Sequence, residues 1–199
     1  MVKMSLMVST LALVTSSRLM KNIIKYLSFL MLLCTANSYA KGVYQSNDDF
    51  LKEVFNSGVP NTQMLWVLGD IKKGATEILG DKPAQLRVRY WRDDQQSAWI
   101  LEEIGKEKPI TVGLLIKDNK VLKMKVLAFR ESRGWEVKES FFLEQFYQAH
   151  LKPDLQLDRT VDGISGATLS VRALKKLARL ALFYHLNVFK KKGFEKDNV

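Results

Sequence analysis

The order of apolar and polar positions divides the chain into segments of two periods. "NDDFLKEVF" opens on polar capping residues and predicts a short helix over 48–55. "MLWVL" predicts a buried strand, and "DIKKGATEILG" a helix from Asp70 closed by Gly80. "AQLRVRYW" and "AWILEEI" both have strand character. "ITVGLLI" and "VLKMKVLAF" flank "KDNK", which predicts a hairpin turn. In the second of these strands Leu122, Met124, Val126 and Ala128 alternate with Lys123, Lys125 and Leu127, the period of a sheet with one wet face. "ESFFLEQFYQAHL" predicts a helix, and a polar connection follows over 152–161. A last helix is expected over 166–187, where Leu174, Leu177, Ala178, Ala181 and Leu182 oppose Arg172, Lys175, Lys176 and Arg179. Helices at both ends with antiparallel strands between them define an α+β fold, an antiparallel sheet with flanking helices.

The first forty residues follow another pattern. They hold no acid, four basic residues (Lys3, Arg18, Lys21, Lys25) and an apolar run from Leu27 to Cys34. A bilayer-spanning helix needs about 20 apolar residues, so the run is short for that role. A basic flank, a short apolar core and then "ANSYA" match a secretory signal, with Ser38 and Ala40 placed for cleavage before Lys41. Met20 opens a complete signal of its own, "MKNIIKYLSFLMLLCTANSYA", and is an alternative start. Leu33 is bulky where lipid attachment at Cys34 would want a small residue, and an uncleaved anchor is the alternative to removal. The expected organisation is a signal over 1–40, the first part of the mature domain over 41–108, a core over 109–187 and a basic tail over 188–199.

Charge and cysteine usage narrow the chemistry. Taking those four basic residues from the total of 31 leaves 27 against 21 acidic, a mature charge of +6. No basic block is interleaved with aromatics, which argues against nucleic acid as a partner. The single cysteine lies in the signal, so the mature chain has no means of forming disulfides, cysteine-ligated clusters or thioether haem. The two histidines, His150 and His185, lack metal-ligand spacing, and His185 near the end of the last helix is expected as a partner for the helix dipole. Any redox cofactor is therefore expected to be organic.

Two stretches carry the same tripeptide. In "VDGISGATLS" Ser165 is expected to cap the last helix, with Gly166, Ala167 and Thr168 in its first turn. Backbone N–H groups there have no intrahelical partner and favour an anion, so a phosphate on the Thr168 hydroxyl would sit in a favourable field. In "DIKKGATEI" Lys73 replaces the small hydroxylic residue, and Thr76 would lie inside a running helix whose N–H groups are consumed. That second stretch is expected to be inert.

"VDGISGATLS" resembles the flavinylation motif of FMN-binding-domain proteins, among them the flavin-carrying subunits of Na+-pumping NADH:quinone oxidoreductases and Rnf-type electron-transport complexes. Asp162, Ser165, Gly166, Ala167 and Thr168 match it position for position, with Ser170 beyond. "PITVGLLIKDNKVLKMKVLAFRESRGWEV" and "FLEQF" resemble further parts of the same domain. The resemblance implies one FMN per chain, joined through a phosphoester to Thr168 by a separate flavin transferase using Mg²⁺. It also implies an electron carrier on the periplasmic or extracytoplasmic side, exchanging electrons with membrane or periplasmic redox partners. Asp162 would serve the transferase, or cap an Asx-type turn. Trp135 would stack on the flavin ring, with Gly134 admitting the ring close to the backbone; a core tryptophan is the alternative. Trp91 and Trp99 are secondary candidates for stacking, while Glu131 and Arg133 would line the flavin or pair at the surface. A flavin reductase with its own substrate and a non-redox secreted binding module are the competing functions.

If the "SYA" site is used, protein recovered from its native compartment starts at Lys41. N-terminal sequencing checks this; a start at residue 1 or 20 means an anchored form.

Overall fold

The structure is a computed structural model that describes Lys25, residues 42–83 and residues 85–196, with side chains described as far as Lys190. The chain divides into two compact units, Met1–Ala40 and Lys41–Val199. The expectations for the signal, its apolar run, Cys34 and the cleavage site lie outside the described residues. Among the described residues no helix is long and apolar enough to cross a membrane.

Five strands make one antiparallel meander in chain order: β1 (Thr62–Trp66), β2 (Arg87–Arg92), β3 (Gln96–Ile104), β4 (Pro109–Lys117) and β5 (Lys120–Phe129). The β4–β5 turn has Asp118 and Asn119 at φ 51° and 60°, the paired left-handed residues of a tight hairpin. Helix α1 (Asn47–Val54) is started by Ser46, whose hydroxyl accepts the Asp49 N–H at 3.1 Å. It covers one face of the sheet, packing Phe50, Leu51 and Val54 over Ala98, Leu115 and Leu127. Helices α2 (Gly69–Leu79) and α4 (Thr168–Lys196) share the larger core on the other side with Leu65, Trp99, Leu114 and Met124. Of the α4 apolar row, Leu174, Leu177, Ala178, Ala181 and Leu182 are all buried. Each fully buried leucine contributes about 1.5–3 kcal/mol, so this row holds the helix to the sheet.

The fold class and the strand–turn–strand at "KDNK" agree with the sequence reading, and four local expectations change. First, β1 is buried on one side only, with Leu65 and Val67 inside and Met64 and Trp66 outside. Second, the alternation in β5 is broken by register shifts, so that Leu115 pairs with Lys123 and Ile116 with Val121. The intervening Leu122 bulges out and is exposed. Third, "ESFFLEQFYQAHL" is not one helix. A 3-10 turn (Trp135–Lys138), helix α3 (Ser140–Leu143) and another 3-10 turn (Glu144–Phe146) succeed one another. The chain is then drawn to the start of β5, where the Gln148 N–H donates to the Val121 carbonyl and the Val121 N–H to the Ala149 carbonyl. Fourth, helix α4 runs on to Lys196, into the segment expected as a basic tail. Val188 is buried, its carbonyl accepts from Arg92 Nη1 at 2.7 Å, and the Arg92 guanidinium lies 4.5 Å from the Phe189 ring centroid.

That extension relocates His185 from a helix end to the core. It is 2% exposed, and its Nδ1 meets Ser97 Oγ at 2.7 Å. The Trp99 indole N–H donates to the same oxygen at 2.7 Å, so Ser97 Oγ joins the indole and the imidazole in one buried network. Burial first, and the Arg92 charge second, push His185 down from 6.5 to about 4. Neutral His185 is therefore an element of the core and not a dipole partner. The unfolded chain takes up a proton near pH 6.5 that the fold refuses until about pH 4. Stability from this residue is complete above the upper value and falls by about 3 kcal/mol through that window. Urea unfolding at pH 7.5, 6 and 5 should register the loss, and His185→Gln should flatten it; an unchanged pH slope in the variant would contradict the assignment.

Candidate functional site

The segment before α4 is pinned from several sides. Arg159 donates to the Tyr147 and Gln148 carbonyls at 2.9 and 3.1 Å, and Leu157 and Val161 are buried. The Asp162 N–H donates to Gln145 Oε1 at 2.7 Å, while the Asp162 side chain is exposed and makes no hydrogen bond among the described residues. The Ala167 N–H then donates to the Ile164 carbonyl at 3.0 Å across a turn whose third residue, Gly166, has φ 78°. A left-handed residue there is the requirement that glycine meets.

This turn moves the helix start. Ser165 and Gly166 lie in the turn, Ala167 is the cap, and Thr168 is the first helical residue. The Ala167 carbonyl accepts the first intrahelical bond, from the Val171 N–H at 3.0 Å. The expected capping role of Ser165 is thus corrected, because the turn lies where the first turn of helix was expected. The N–H groups of Thr168, Leu169 and Ser170 precede that first bond and have no intrahelical acceptor. Thr168 itself is exposed, with its hydroxyl free of protein partners among the described residues.

Gly134 brings the "ESRGWEV" segment against this start. A Cβ on Gly134 would stand 3.0 Å from Ala167 Cβ and 3.4 Å from Ser170 Oγ, and its φ is 82°. Trp135, the next residue, is 51% exposed, so its ring is a surface group beside the helix start and not core. The Lys138 ammonium lies 5.4 Å from the Trp135 ring centroid and 4.9 Å from that of Tyr44, which is 50% exposed. Tyr44, Lys138 and Gln145 were not singled out in the sequence. Of these only Gln145 touches the motif, through the Asp162 N–H, and it lies in the "FLEQF" segment that carries part of the resemblance.

Other candidates are engaged elsewhere. Glu131 Oε1 accepts the backbone N–H groups of Lys106, Glu107 and Lys108 at 2.6, 2.7 and 2.9 Å. Slight burial raises its carboxyl, but these three bonds outweigh it and lower the pKa. Glu131 therefore serves the β3–β4 turn, and Arg133 is exposed with no ion pair among the described residues. Trp99 is 0% exposed and stacks on Tyr90 at 4.9 Å, which makes it core. Trp91 is half-buried and packs towards α1. Asp70 pairs with Lys73 at 3.0 Å, and the Thr76 hydroxyl donates to the Lys72 carbonyl at 2.8 Å within α2.

A cleft of about 720 Å³ opens between β2 and β3, which pair only at Tyr90–Trp99, Trp91–Ala98 and Arg92–Ser97. Its α4 wall begins at Lys176, eight residues and therefore about 12 Å along the axis from Thr168. None of the motif residues lines it.

Residues 105–182 match the FMN-binding domain. The chain therefore carries an FMN-binding domain, which supports a flavin-binding, redox role. No curated protein and no solved structure gives a match. The matched span includes β4, β5, Gly134, Trp135 and the whole Asp162–Ser170 stretch. The local chemistry fits the group: three unpaired N–H groups suit a phosphate, and an exposed aromatic face adjoins them.

Gly134→Ala places a side chain against Ala167 at a left-handed φ, a strain of about 1–3 kcal/mol. Gly163→Ala meets nothing within 4 Å and has no such φ. Urea midpoints should fall for Gly134→Ala and hold for Gly163→Ala, and the yield of flavin-bearing protein should follow the same order.

Proposed function

We propose that the chain is an exported electron-transfer flavoprotein carrying one FMN through a phosphoester on Thr168. The observation that carries this reading is an exposed threonine hydroxyl on the first residue of a long helix, beside N–H groups without acceptors, within a matched FMN-binding domain. When bound, FMN supplies reversible electron transfer. The first-turn N–H groups and the positive end of the α4 dipole hold the phosphate. Gly166 fixes the turn that presents Thr168, and Gly134 lets Ala167 and Ser170 sit close beneath it. Trp135 offers its exposed face to the ring.

A threonine hydroxyl is a weak nucleophile without an activating base or metal. No metal-holding group of three His, Cys, Asp or Glu occurs among the described residues, so attachment is assigned to a separate flavin transferase with Mg²⁺. The exposed carboxylate of Asp162, held in place through its own N–H by Gln145, is the group on this chain that the transferase would engage. Membrane or extracytoplasmic redox partners on the periplasmic side would then exchange electrons with the exposed flavin. The protein in this reading is a carrier and has no turnover of its own.

Co-expression with a flavin transferase should add one FMN mass to the wild type and to Thr76→Val, and none to Thr168→Val. Intact mass and reductive titration decide together. The first two should take up at most two electrons with flavin spectra alone, the third none. Flavin mass on Thr168→Val, or iron or haem bands, would refute the single-flavin carrier.

A further inference from the structure

The Tyr44–Lys138–Trp135 face has a feature that ring stacking alone does not require. Its two exposed aromatic rings flank a cation, with the Lys138 ammonium 4.9 Å from one centroid and 5.4 Å from the other. Lys138 Nζ also donates to Glu139 Oε1 at 2.7 Å, so three neighbours fix its position. The hydrogen bond to Glu139 is the chief cause that raises the lysine pKa above its ordinary value.

Three separate segments build the face. Tyr44 is tied to β5, its N–H donating to the Leu127 carbonyl at 2.8 Å, and the Val43–Ala128 bridge extends that contact. Trp135 and Lys138 open and close one 3-10 turn. Gly134, the residue before that turn, lies against Ala167 and Ser170 at the start of α4. Lys138 thus lies one 3-10 turn along the chain from the glycine that touches the start of α4.

We propose that Lys138 is the charge that sets the potential of a flavin carried on Thr168, with Tyr44 and Trp135 holding it in position. This rests on the reading of Thr168 as the flavin carrier. Two electrons from an external reductant and one proton from solvent convert FMN to its anionic reduced form. Lys138 keeps its own proton throughout and stabilises the negative charge that the ring gains. A fixed cation near the ring favours the reduced form over the oxidised one, which raises the midpoint potential. Glu139 offsets part of this charge, which makes the pair a setting and not a maximum.

The experiment uses transferase-matured full-length protein and dithionite with a reference dye at pH 7. Lys138→Met should lower the midpoint, shifting the reduced-to-oxidised ratio about tenfold at fixed potential, about 30 mV for a two-electron couple. Lys138→Arg should restore the wild-type value, and Glu139→Gln should raise it. Tyr44→Leu should move it in the same direction as Lys138→Met but less far. Intact mass of each sample is recorded first. Missing flavin in the wild type overturns both the carrier reading and this inference. Full flavin loading with the same potential in wild type and Lys138→Met overturns this inference alone, as does failure of Lys138→Arg to restore it.

Discussion

The site depends on the close approach of two backbones, Gly134 and Ala167. A single added methyl at Gly134 would stand 3.0 Å from Ala167 Cβ, closer than packed side chains ordinarily come. That approach joins two chain segments more than thirty residues apart. One brings the exposed aromatic ring and the lysine, and the other brings the helix start and the hydroxyl. Neither segment alone is a binding site: the helix start lacks a face for a ring, and the 3-10 turn lacks anchoring for a phosphate.

The tripeptide Gly-Ala-Thr is used twice, for different physical ends. Near Thr168 the glycine takes a positive φ and the chain turns before the helix begins. Near Thr76 the glycine lies within α2, where a Cβ would stand 2.4 Å from the Phe183 ring, and the neighbouring alanine is fully buried. There it serves helix–helix approach, and the threonine hydroxyl is spent on a carbonyl one turn back. Sequence similarity of three residues thus carries no chemistry until backbone conformation is known.

Most of the frame was legible because its signals are local. Period-two strands, the Asp118–Asn119 turn and the apolar row of α4 each need only neighbouring residues to declare themselves. The failures share a different cause. Leu122 leaves its expected face because a register shift intervenes, and register is a property of two strands. The helix expected after Glu139 breaks because β5 claims the chain beyond Phe146. Helix α4 outruns its expected end because Arg92, almost a hundred positions earlier, receives Val188 and Phe189. The motif itself was visible, yet the Ser165 cap was misplaced, since a turn and a first helical turn share the same composition. The three backbone N–H groups that bind Glu131 Oε1 come from residues more than twenty positions earlier and were likewise not legible.

The sparse pairing of β2 with β3 divides the sheet mechanically. Only three residue pairs join the β1–β2 ribbon to the three strands beyond, whereas β3 and β4 pair along their whole length. The rest of the ribbon's attachment runs through side chains: Arg92 on Val188 and Phe189, Tyr90 stacked on Trp99, and the packing of α2 on α4. Such a ribbon is a separable cooperative unit, able to open at lower free energy than the β3–β5 core. The motif residues 162–170 do not line the cleft at that seam. Opening along that seam would widen a cleft whose walls do not include Thr168.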